Sequence, residues 1–388
     1  MSTLLEYIAE YGDRSFTELP FGEVDNLLLC KLSYLPFEEV IGAGHRAQPV
    51  PFPEAANRLF QHQDKKFRPL GLMIDETVSV YSMTLAHTKR FGEMKIAACT
   101  GRDENHPAVQ FGAQTFLLPD GSFVVPFRGT NDSLFGWKED LDILAKGVIP
   151  SYRLALDYAR SALGAREGGM ILCGHSKGGH LALYTALNLS DEERGRLKAV
   201  YNNDGPGFPD YSPYRTEAYR AIRPIYRHFV PDSSMVGLML AHDMDYEVVV
   251  SSQILGAKQH DVTTWQADGV RIERAEQGLT EMGRITDHVM RRMVAGSTDR
   301  KLDAIEHVAD ALIDATGQAT LTGLAQNVSQ AVQGAAREWV RLPRRDRRIF
   351  VGFFGETGKN TMEALRSVKR PREDPRGRIR RLFLPKEK

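Results

Sequence analysis

Gly174-His175-Ser176-Lys177-Gly178-Gly179 matches the pattern G-x-S-x-G. It stands between the apolar run Met170-Ile171-Leu172-Cys173 and a helical pattern running from Lys177 to about Leu189. In that setting the pattern predicts a nucleophile elbow, a sharp strand-to-helix turn that lifts the serine hydroxyl clear of a sheet. Side chains two residues to either side would collide with neighbouring backbone, which accounts for Gly174 and Gly178. The helix start also aims backbone N–H groups, that of Lys177 included, at developing negative charge.

A serine hydroxyl is a weak nucleophile and needs a base oriented by an acid. In this type of fold the chain order is serine, acid, histidine. The histidines after Ser176 are His180, His228, His242, His260, His288 and His307. His180 falls in the elbow helix, His228 inside an apolar run, and His242 before the last good strand. His288 and His307 fall in a helical region. His260, in Gln259-His260-Asp261, follows that last strand after a polar loop and is the expected base; a surface-loop histidine is the alternative. Asp232, directly after the run 224–230, is the favoured acid. Asp204, in Asn202-Asn203-Asp204-Gly205, is the alternative acid, or a turn residue capping nearby N–H groups. The second oxyanion donor is expected from Phe127-Arg128-Gly129-Thr130, where Thr130 offers a backbone N–H and a hydroxyl. Thr130 also suits the N-cap of the segment holding Trp137 and Asp140.

The elements that must carry these residues alternate. Residues 115–127 read as a hairpin around Pro119-Asp120-Gly121-Ser122. Apolar positions Tyr152, Ala155, Leu156, Ala159 and Leu163 have helical spacing. Ser190 with Glu193 has the form of a capping box. Leu197–Tyr201, Pro224–Val230 and Tyr246–Val250 read as strands. Strands alternating with helices predict an α/β fold, a mostly parallel sheet flanked by helices, with the site at the C-terminal strand ends.

The chain has 388 residues, enough for a large domain and an accessory region, and its formal net charge is zero. Residues 337–388 hold 17 Lys+Arg against 7 Asp+Glu, so the remainder is correspondingly acidic. We read residues 1–275 as the α/β-hydrolase domain, 276–340 as a helical extension and 341–388 as a basic tail. Cys30, Cys99 and Cys173 have no disulfide or metal spacing, and Cys173 is expected in a buried strand. Glu6, Glu10 and Asp13 argue against a signal peptide, and no apolar run approaches the roughly 20 residues that span a bilayer. The expectation is a cytoplasmic protein, with peripheral membrane contact through the basic tail as an option.

Phe127-Arg128-Gly129-Thr130, Trp137 and Asp140-Leu141 resemble the F-R-G-[ST]…W…D-L signature of class 3 (fungal-type) lipases, and Gly174-His175-Ser176 resembles their nucleophile motif. The resemblance implies an oxyanion-hole role for Thr130. Closer still, the chain resembles the bacterial Mbeg-like hydrolases over about residues 1–275. That likeness rests on Ser15-Phe16 with Pro20-Phe21, Gly174–Gly179, Tyr201–Phe208, Ser234-Met235-Val236-Gly237, and Gln259-His260-Asp261 with Trp265. Class 3 lipases place an apolar residue after the nucleophile, whereas here it is Lys177. Its cation either stands beside the acyl site, suiting an anionic substrate, or tilts into solvent over its apolar stem. Only Leu134-Phe135 offers apolar bulk for a lid between Thr130 and Trp137.

These residues together predict a serine hydrolase that cleaves a carboxylic ester through an acyl-serine. A thioesterase and a non-catalytic binding module on the same fold are the alternatives. The expected substrate is a small-molecule or lipid ester, with no cofactor, no metal and no nucleic-acid partner.

Overall fold

Met170–His175 is buried at every position, the pattern of a strand covered on both faces. It is the fifth strand of an eight-stranded sheet in a computed structural model of the chain. The structure describes residues 2–61, 78–104, 109–131, 136, 139–140, 142–143, 147–242, 245–254, 256–295 and 344. The strands are β1 (Gly44–Pro51), β2 (Lys95–Glu104), β3 (Val109–Leu117), β4 (Phe123–Phe127), β5 (Met170–His175), β6 (Leu197–Asn203), β7 (Tyr226–Pro231) and β8 (Glu247–Val249), and they lie side by side in that order. Neighbours from β1 to β4 are antiparallel, and neighbours from β4 to β8 are parallel.

Connection length explains the switch. β3 and β4 are joined by a tight turn in which Asp120 Oδ1 accepts from Ser122 N at 2.9 Å, the hairpin expected from the sequence. From β4 onward each link is long enough to carry the chain back across the sheet. The helices Pro150–Ala165, Lys177–Asn188 and Glu217–Ile222 lie in these crossovers. The result is the expected α/β architecture.

Period-two alternation divides the sheet between two cores. Val124, Ile171 and Cys173 face a core shared with the N-terminal helices Leu4–Tyr11, Glu23–Leu32 and Phe52–Gln61. Phe123, Val125, Phe127, Met170 and Leu172 face the other core, built with the crossover helices. A buried Arg90–Asp25 ion pair at 2.6 Å fastens the N-terminal segment, and Arg90 stacks 4.1 Å over the Phe16 ring.

Two boundaries bear on the site. β6 runs two residues past the expected Tyr201, to Asn203, so Asp204 stands at the strand end. The elbow helix begins at Lys177, one residue after Ser176. The Ser190–Glu193 capping box is present, and Cys30, Cys99 and Cys173 are free and buried. Among the described residues no helix is long and apolar enough to cross a membrane. The helix Glu281–Ala295 occupies the start of the region read as a helical extension. Leu134-Phe135, Trp137, His307 and the basic tail, except for Arg344, lie outside the described residues.

Candidate active site

Ser176 sits at φ 58°, ψ −132°, a conformation that L residues rarely adopt, between the last residue of β5 and the first of the elbow helix. Close approach makes the flanking glycines necessary. A Cβ on Gly174 would lie 2.0 Å from the Gly178 carbonyl carbon, and one on Gly178 would lie 2.1 Å from the Phe127 carbonyl oxygen. Ser176 N donates to Asn203 O at 3.0 Å, which ties the elbow to the end of β6. Lys177 is the first helical residue, so its N–H has no helical carbonyl to bond.

The residue after Asn203 is Asp204, also at positive φ (52°) and fully buried. Its Oδ2 accepts from His260 Nδ1 at 2.7 Å, while Oδ1 accepts from Ser234 Oγ at 2.5 Å and Gly237 N at 3.0 Å. A carboxylate only accepts, so Nδ1 carries the proton and Nε2 has the free lone pair. The structure thus brings Asp204, the alternative acid, and not the favoured Asp232 against His260. Asp232 follows β7, but its Oδ1 is taken by Gln259 Nε2 at 2.8 Å. It lines a separate cavity of about 1010 Å³, with Arg271, Arg274 and Arg284, which contains none of Ser176, Asp204 and His260.

Three consecutive residues of the histidine loop are anchored. Gln259 O accepts from the buried Trp265 Nε1 at 2.8 Å, and Asp261 pairs with the buried Lys31 at 2.8 Å. His260 O lies 2.7 Å from His175 Nε2, and the two rings lie 4.4 Å apart between centroids. Since a carbonyl accepts, His175 donates from Nε2 and its Nδ1 accepts from Tyr34 Oη at 3.1 Å. Burial, then the nearby His260, holds His175 well below the usual histidine range, so it stays neutral. Ser176 thus follows β5, Asp204 follows β6, and His260 lies in the loop that comes after β8. Among the described residues, neither the Ser176 hydroxyl nor His260 Nε2 makes a hydrogen bond.

Thr130 follows β4 beside the elbow. A Cβ on the adjacent Gly129 would lie 2.3 Å from Tyr34 Oη and 2.5 Å from His175 O. Thr130 Oγ1 donates to Asp140 Oδ2 at 2.6 Å, so its hydroxyl is held in place. Burial pushes the Asp140 carboxyl up to about 6.

Neither expectation for the Lys177 side chain is met. It is buried, and Nζ donates to Glu139 Oε2 at 2.7 Å, Gln110 O at 2.8 Å and Gln110 Oε1 at 3.1 Å. Glu139 Oε1 accepts from Ser151 N and Ser151 Oγ. A fully hydrogen-bonded buried pair offsets the cost of taking both charges out of water.

The remaining histidines are spoken for or stand apart. His180 donates from Nδ1 to Pro206 O at 3.0 Å, and burial lowers it to about 4. His228 is buried in β7 and His242 is buried beyond it, while His288 is exposed on the helix Glu281–Ala295.

The family model described as Mbeg1-like matches residues 85–313, more than half of the chain. The chain belongs to the Mbeg1-like family. No curated protein and no solved structure matches it. The Mbeg1-like span holds Gln110, Thr130, Glu139, Asp140, Ser176, Lys177, Asp204 and His260. Lys31 and Tyr34 precede it and reach the same loops from the helix Glu23–Leu32 and the turn after it. Nothing local in the sequence marks Tyr34 or Gln110. His175, by contrast, sits inside the G-x-S-x-G motif and could have been singled out.

Proposed function

We propose that this Mbeg1-like chain is a serine hydrolase of the α/β-hydrolase type that cleaves a carboxylic ester, as the likeness to class 3 lipases implies. The observation that carries the reading is the buried Asp204–His260 pair beside a serine held at positive φ on a strand-to-helix elbow. In this reading Asp204 fixes the Nδ1–H tautomer of His260 and offsets the charge it gains. His260 Nε2 takes the Ser176 hydroxyl proton as Oγ attacks the ester carbonyl. The tetrahedral oxyanion is met by the backbone N–H groups of Lys177 and Thr130, while the Thr130 hydroxyl proton is held by Asp140 and anchors that residue. Collapse expels the alcohol, protonated by His260, and leaves an acyl-serine. Water, deprotonated by the same nitrogen, then releases the acid. A hydrogen bond between nucleophile and base commonly tightens only with substrate bound.

The test is labelling with a fluorophosphonate, followed by hydrolysis of p-nitrophenyl esters of graded chain length. Ser176→Ala is expected to abolish labelling and to cost on the order of 10⁶ in turnover. Undiminished labelling of the Ala variant would exclude Ser176 as the nucleophile. A wild-type protein that neither labels nor turns over any ester would favour a binding module.

A further inference from the structure

Thr130 is gripped on both sides by one buried amide. Gln110 in β3 donates from Nε2 to Gly129 O at 3.3 Å and accepts at Oε1 from Asn131 N at 3.3 Å. The amide has no freedom to reverse. Lys177 Nζ, which only donates, lies 3.1 Å from Oε1. A reversed amide would set its NH₂ against that ammonium and against the Asn131 N–H, and its oxygen against the Gly129 carbonyl. The Gln110 backbone is fixed as well. Its N–H donates to Glu139 Oε2 at 3.2 Å, and its carbonyl accepts from Lys177 Nζ at 2.8 Å. Gln110, Glu139 and Lys177 are all at most 1% exposed, so water does not compete for these bonds.

We infer that Gln110, oriented by the Lys177–Glu139 pair, is a positioning residue that sets the backbone of residues 129–131 around Thr130; the inference rests on the hydrolase reading of Thr130 as an oxyanion donor. It gives the cation after the nucleophile a purpose. The Lys177 backbone supplies one N–H to the oxyanion, and its side chain aligns the loop that supplies the other. An oxyanion donor acts through fixed placement, and small displacements cost rate without costing ground-state binding.

The experiment uses the full chain carrying Gln110→Met, which keeps the length and bulk of the side chain and removes both of its bonds. Two readouts are taken beside the melting temperature. Amide hydrogen exchange over residues 129–131 is expected to rise by roughly tenfold or more. The kcat for a p-nitrophenyl ester is expected to fall by about 10- to 100-fold, with KM within about twofold and an unchanged pH profile, since a displaced donor costs less than a deleted one. If Gln110→Met does not fold, Gln110→Glu carries the same test, because it keeps the acceptor for Lys177 and Asn131 but loses the donor to Gly129. Unchanged exchange at 129–131 overturns the inference, as does a kcat loss that only tracks the unfolded fraction. If the wild-type protein proves inactive and unlabelled by fluorophosphonate, the hydrolase reading fails, and exchange at 129–131 alone decides whether Gln110 holds the loop.

Discussion

His260 Nδ1 donates to Asp204 Oδ2 at 2.7 Å, and both side chains are buried. The contact joins two loops 56 positions apart, one leaving β6 and the other following β8. Asp204 reaches it from positive φ, with its second oxygen occupied by Ser234 and Gly237, so the carboxylate has one orientation available. Which aspartate serves the histidine is thereby set by geometry around β6.

Asp204→Asn is expected to lower ester turnover on the order of 10⁴, because the asparagine amide no longer enforces the productive tautomer. Asp232→Asn leaves that contact intact and is expected to stay within about tenfold, with the loss traced to the Gln259 bond. Steady-state kinetics on both variants at matched stability decides the matter. A larger loss for Asp232→Asn would reverse the assignment.

His175 donates to the carbonyl of His260, and its ring must be neutral for Nδ1 to accept from Tyr34 Oη as well. His175→Phe keeps the aromatic volume but leaves His260 O and Tyr34 Oη without this partner. We expect a stability loss of about 1–3 kcal/mol and a fall in kcat larger than the change in KM. Tyr34→Phe removes the outer bond only and should cost less on both counts. Denaturant titration with kinetics on the two variants checks the ranking, and equal effects would show that the chain from Tyr34 to His260 is not graded.

Asp140 makes stability depend on pH. Its folded pKa of about 6 lies above the ordinary 3.8, so between these values the folded chain holds a proton that the unfolded chain has released. Raising the pH through that window therefore destabilises the fold, and the penalty is complete above about 6. At 1.36 kcal/mol per pKa unit, Asp140→Asn should be more stable than wild type by about 3 kcal/mol at pH 8 and should converge with it near pH 4. Melting curves across pH 4–8 test this. A gap that widens toward acid would refute it.

Removing the Lys177 ammonium alone leaves Glu139 buried without its cation. Lys177→Met is expected to cost about 3–5 kcal/mol, whereas Lys177→Met combined with Glu139→Gln should cost clearly less. Urea unfolding of the single and double variants measures the difference. A double variant as unstable as the single one would argue against the pair as the stabilising unit.

Much of this molecule is local in origin and could be read along the chain. The apolar run 170–173, the two glycines and the helical pattern after Ser176 describe an elbow without reference to any distant residue, because the constraint is steric and spans five positions. The hairpin at 119–122, the capping box at 190–193 and the alternation of strands with helices have the same character. His260 could be singled out in the sequence by elimination, as the histidine that follows the last good strand in a polar loop.

Which aspartate meets His260, where the Lys177 side chain goes and what Gln110, His175 and Tyr34 touch were decided only by the folded chain. Asp204 and Asp232 both end strands, and strand order in the sequence favoured the wrong partner for His260. The separation came from positive φ at Asp204 and from Gln259 capturing Asp232. Lys177 reads as a cation beside the acyl site or out in solvent until Glu139, 38 positions earlier, is folded against it. Hydrogen-bond partners of buried polar groups are fixed by which strand ends the sheet brings together, and that register depends on the packing of both cores.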